Sequence, residues 1–142
     1  MGLKLEESEK QLSFDELDEF SKYFDKKIPL SFSNFYMEFN GGYPPENGRH
    51  NFFLLGGFNS IKYGDVTIEN IYTDLVDSFP NLKNMIPFAY DEGGNCFVLS
   101  LKDENYGKIY IWLMDEKELV LVSESFDNFI TKLSQSYSLL NY

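Results

Sequence analysis

The chain has 142 residues and a net charge of −11, with 23 acidic side chains against 12 basic ones. That length suits one domain spanning residues 1–142. The charge repels phosphate backbones and anionic lipid and attracts basic surfaces, so neither a nucleic acid nor a membrane is an expected direct partner.

Residues 1–12 are polar and are expected to fray. Ser13 then reads as a helix N-cap, and Ser13-Phe14-Asp15-Glu16 fits a capping box in which Glu16 reaches back to the Ser13 amide. Phe14, Leu17, Phe20, Ser21 and Phe24 form its apolar stripe, and the acids of the first turn suit the helix dipole. A second helix follows within Ile28–Gly42: Pro29 suits the first helical position, and Phe32, Phe35, Tyr36 and Phe39 share one face. Asn40-Gly41-Gly42 tolerates positive φ and ends it sharply.

Tyr43 to Asn51 is a loop rich in turn residues, including Pro44-Pro45 and Asn47-Gly48. Phe52 to Leu55 reads as a short strand, Gly56-Gly57 as a bulge or turn, and Phe58 to Tyr63 as a second strand. From Thr67, the spacing of Ile68, Ile71, Tyr72, Leu75, Val76 and Phe79 predicts a helix that Pro80 stops. Four strands then follow at 85–90, 96–101, 108–114 and 119–122, joined by short polar turns as antiparallel hairpins. Pro87 implies an edge or bulged position in the first of them. A last helix starts near Ser123 to Ser125 and buries Phe126, Phe129, Ile130 and Leu133.

This order predicts an α+β domain: a single, mostly antiparallel sheet with N-terminal helices and a C-terminal helix packed on one face. The other face is then open, and Tyr110, Trp112 and Met114 on it would form an apolar binding patch. The alternative is that the Tyr43–Asn51 loop or the helix at 67–79 covers them.

No catalytic, metal or cofactor site is expected. One histidine (His50) and one cysteine (Cys96) build neither a metal cluster nor, without a nucleophile elbow, a hydrolase triad. Cys96 lies in an apolar run and reads as a small buried hydrophobe. The glycine pairs lack the spacing of a phosphate-binding loop. Carboxylates are so plentiful that a glycosidase-like pair arises by chance. No run approaches the ~20 apolar residues of a membrane span, and the opening MGLKLEESEK has no apolar core of a signal peptide, so the cytoplasm is the expected compartment.

Four blocks resemble the SUKH superfamily, which includes the fungal cell-wall-assembly regulator and many bacterial immunity proteins. IPLSFSNFYMEFNGG at 28–42 is similar to its LP…Y/F…F…NGG signature, and IPFAYDEGGN at 86–95 to its I-P-I-A-x-D-x-G-G-[DN] block. Ile109-Tyr110-Ile111-Trp112 resembles its strand ending in tryptophan, and Ser125-Phe126-Asp127-Asn128-Phe129-Ile130 its S-F-x-x-F-[IL] helix. The resemblance implies an α+β fold and, for a bacterial chain of this size, an immunity protein that neutralises a toxin domain, often a nuclease. The partner would be a cognate toxin with a basic surface, met by aromatic anchors ringed with acids. On that reading the expected partner-binding residues are Tyr43, Asp91, Glu92, Tyr106, Tyr110, Trp112, Asp115 and Glu116. The runner-up function is a scaffold or regulatory interaction module without a toxin partner.

Overall fold

The computed structural model describes residues 3–45 and 51–138. The Asn47-Gly48 turn, Arg49, His50 and the last four residues lie outside them. Four α-helices and one five-stranded sheet are present among the described residues: α1 (Phe14–Ser21), α2 (Leu30–Glu38), β1 (Leu55–Phe58), α3 (Ile68–Ser78), β2 (Met85–Asp91), β3 (Cys96–Ser100), β4 (Ile109–Leu113), β5 (Glu118–Ser123) and α4 (Phe126–Ser138). The strands pair in chain order as an antiparallel meander. Short 3₁₀ turns at Pro80–Leu82 and Asp103–Asn105 complete the chain.

Local chemistry explains most element ends. The capping box at α1 forms: the Ser13 amide donates to Glu16 Oε1 at 2.9 Å, and the Glu16 amide donates to Ser13 Oγ at 3.2 Å. Pro29 caps α2, and Gly41 and Gly42 leave it at φ 74° and 119°. A β-carbon on Gly42 would sit 2.6 Å from the Glu6 carbonyl oxygen, so this exit needs glycine for space as well as for backbone angle. Thr67 caps α3 by accepting from the Asn70 amide. The β1–β2 register slips between Leu55 and Gly57, and the β2–β3 register between Pro87 and Ala89, so both expected irregularities are bulges.

Several expectations are corrected. Residues 3–12 are docked: Leu3, Leu5 and Leu12 are buried. Glu6 and Tyr43 exchange backbone hydrogen bonds at 2.8 Å, and the Glu9 amide donates to the Asn40 carbonyl at 3.0 Å. Leu3 and Leu5 alternate with exposed Lys4 and Glu6 and bury one side of an extended segment, and Leu12 is buried further on. Strand pairing at 52–55 starts only at Leu55, because Asn51 Oδ1 takes the Phe53 and Leu55 amides and folds 51–54 into a turn. Residues 59–63 form no strand: buried Asn40 accepts from the Ile61 amide and donates to the Ile61 carbonyl, capturing the backbone that a neighbouring strand would use. Phe14 is exposed, one residue into α1 and off its buried face.

The N-terminal helices and the C-terminal helix share one face, as expected, and α3 alone reaches the other. Ile86, Phe88, Phe97, Leu99 and Ile109 meet α1, α2 and α4 through a core of aromatic rings, with Phe32, Phe88, Phe126 and Phe129 at its centre. On the other face Met85, Val98 and Trp112 pack with Leu75 and Leu82, and Phe79 joins them. Helix α3 thus divides its stripe, giving Ile68 and Tyr72 to the first core and Leu75 to the second. It lies beside the first half of β2, which β1 does not pair.

Candidate functional site

The register places the β2–β3 turn and the β4–β5 turn at one end of the sheet, since Cys96 pairs with Trp112 and Trp112 with Leu119. Asp91 organises the first of these turns. Its Oδ1 accepts from the Gly93 and Asn95 amides at 2.9 and 2.8 Å, and its Oδ2 accepts from Asn95 Nδ2 at 3.1 Å. Asn95 Oδ1 then accepts from the Met114 amide at 3.0 Å, which ties the two turns together. Asp91, Glu92, Asp115 and Glu116 are thereby gathered at this end. Asp91 is half-buried and structural, whereas Glu92, Asp115 and Glu116 are exposed.

The aromatic candidates divide. Tyr43 is exposed and lies over β1 beside Tyr90, near the acidic end. Tyr110 is half-buried in mid-strand. Tyr106 is at the opposite end of the sheet, where its hydroxyl donates to the Lys27 carbonyl, so it does not join the others. Trp112 is only 2% exposed and packs against Phe79 with ring centroids 5.1 Å apart. It is core and unavailable as a surface anchor, because the end of α3 and the turn after it cover the face that the strand pattern leaves open. Its Nε1–H has no acceptor among the described residues.

The sequence reading missed a cleft of about 640 Å³ on the same face as Trp112, at the β1 side. Tyr43, Tyr90, Val66 and Ile71 line it together with the exposed Glu7, Glu9 and Asp65 at its mouth, and the half-buried Tyr90 ring, lying against the β1 backbone, is its floor. Gly56 and Gly57 make the floor possible. A β-carbon on Gly57 would lie 2.5 Å from the Tyr90 hydroxyl oxygen and 3.1 Å from Tyr43 Cδ1; one on Gly56 would lie 2.8 Å from Tyr90 Cε2. Neither glycine has a positive φ, so space and not backbone angle requires them. Burial, with Tyr43 and its hydrogen bond next in importance, raises the Tyr90 pKa, and the phenol stays neutral. Burial and, secondarily, Asp91 push the Cys96 thiol beside it to about 11, so it is no thiolate nucleophile at neutral pH. The readable sign of the cleft is the glycine pair opposite an aromatic in the neighbouring strand; the carboxylates come from segments distant in sequence.

The model of the SMI1 / KNR4 family (SUKH-1) matches residues 11–132. The chain belongs to this family. No curated protein matches the chain. In this SUKH-1 domain the four resembling blocks all do structural work: Pro29 and Asn40–Gly42 bound α2, Asp91 staples a turn, and Trp112, Phe126 and Phe129 are buried. The acidic mouth residues Glu7, Glu9 and Asp65 lie outside those blocks.

Proposed function

We propose that this SUKH-1 domain is an immunity protein that binds and neutralises a cognate toxin domain carrying a basic surface, such as a nuclease. The observation that supports this most is a surplus of 11 negative charges on a domain whose shared family residues are spent on the scaffold. A nuclease must present cations to grip phosphates. An acidic protein that occupies those cations blocks substrate without any chemistry of its own, and its field speeds the encounter. Tyr43, Glu92, Asp115 and Glu116, exposed around one end of the sheet, are the residues of the original set best placed to make contact. The test is co-expression with the product of the adjacent upstream gene. Survival of the cells and co-purification of the two proteins are expected; continued toxicity with no complex overturns the reading.

A further inference from the structure

We infer that the cleft lined by Tyr43 and Tyr90 is the socket for an arginine side chain of a basic protein partner. This rests on the immunity reading for the identity of the partner, but the socket is argued from its own chemistry.

Most of the polar groups lining the cleft are already engaged. Asn59 Nδ2 donates to the Pro87 carbonyl at 2.9 Å, Ser60 Oγ donates to the Tyr63 carbonyl at 2.6 Å, and the Cys96 thiol stays protonated. What remains for a ligand is two phenol rings and three carboxylates, Glu7, Glu9 and Asp65. None of the three is in an ion pair among the described residues. An anion is therefore repelled. A bare metal ion is also a poor fit: among the described residues no group of three or more acidic, histidine or cysteine side chains converges tightly enough to hold one. The three exposed carboxylates do not converge as a metal site requires.

Exposed acceptors that do not converge, in a cleft lined by two phenol rings, suit a long cation that is flat and carries several donors. A guanidinium stacks its flat face on a phenol ring and carries five N–H donors in that plane, whereas an ammonium has three donors and no flat face to stack. The side chain's methylenes would lie along Val66 and Ile71. The glycine pair under Tyr90 adds an independent sign that this floor is built: two successive residues give up their side chains so that the ring can lie against the β1 backbone.

The experiment uses the full chain with ¹³C-labelled tyrosine rings and two capped tripeptides, acetyl-Gly-Arg-Gly-amide and its neutral citrulline counterpart. The arginine peptide should move the Tyr43 and Tyr90 ring signals saturably, and the citrulline peptide at equal concentration should move them at least about fivefold less. The exposed-rim double variant Glu9→Gln/Asp65→Asn should keep the parent's spectrum elsewhere and weaken arginine-peptide binding about fivefold. Unmoved rings, equal response to citrulline, or undiminished binding by the double variant would each overturn the socket. No toxin enters this titration, so its failure leaves neutralisation standing. Conversely, absence of protection in co-expression removes the immunity reading without altering the peptide result.

Discussion

Glu16 does two jobs with one carboxylate. It caps α1 through the Ser13 amide, and it accepts from the Tyr63 hydroxyl and pairs with Lys62 at 3.0 Å. The Tyr63 hydrogen bond is the largest influence, followed by the Ser13 amide and Lys62, and together they hold its pKa at about 2 against an ordinary 4.5. A lowered carboxylate pKa means that the folded state binds its proton less readily than the unfolded chain. The stability it contributes is therefore complete above about pH 4.5 and is lost as the pH falls towards about 2. Glu16→Gln should lower Tm at neutral pH and converge with the parent near the acid end, in thermal melts across that range. Trp112 makes the opposite point about a residue that looks like an anchor. Trp112→Ala should cost about 3–5 kcal/mol in urea unfolding, the range for emptying a large aromatic site in a core. A surface tryptophan would cost far less, so a small loss would contradict its place beside Phe79.

At the scale of elements, the N-terminal segment and the exit of α2 stabilise each other. Asn40 Nδ2 donates to the Lys10 and Ile61 carbonyls at 3.0 and 2.9 Å, and Ser8 Oγ donates to the Gly41 carbonyl at 2.8 Å. One buried amide thus joins the leading segment, the end of α2 and the loop before α3. Gly42→Ala should separate them. The positive φ alone costs about 1–3 kcal/mol, and the clash with the Glu6 carbonyl adds to it. Hydrogen exchange should then quicken at the Glu6 and Tyr43 amides while the β3–β4 ladder keeps its protection. Helix α3 shows why a periodic stripe does not name its target: Ile68 and Tyr72 face one core and Leu75 the other, yet all three fit a single helical pattern. The pattern fixes which residues are buried; the missing β1 pairing beside Met85–Phe88 decides where the helix lies.

For the molecule as a whole, charge is unevenly spread. Lys22, Lys26 and Lys27 outnumber Asp18 and Asp25 in a groove between α1 and α2, and Lys26 pairs with Asp103 near the Tyr106 end of the sheet. The β2–β3 and β4–β5 turns at the opposite end hold Asp91, Glu92, Asp115, Glu116 and Glu118 against one cation, Lys117. A basic partner would be steered towards that acidic end. For a toxin that co-purifies as proposed, raising salt from about 0.05 to about 0.5 M should slow association about tenfold or more, with a smaller change in dissociation, in stopped-flow mixing. An association rate indifferent to salt would mean that the surplus charge serves solubility alone.

The sequence by itself determined the helices, the meander and the caps, because these rest on local chemistry: a capping box, a glycine exit, alternating apolar residues between short turns; the family it carried through the resemblance of four blocks. It also determined the sign of the electric field. Only the tertiary structure decided which aromatics are anchors and which are core. Trp112 is covered by residues some thirty positions earlier, and the cleft draws Glu7 and Glu9 from the leading segment, Tyr43 from the α2 exit and Asp65 from the loop before α3. No spacing rule links residues that meet only after the chain has folded back on itself, so the acidic mouth was invisible until the long-range hydrogen bonds of Asn40 and Glu6 brought its segments together.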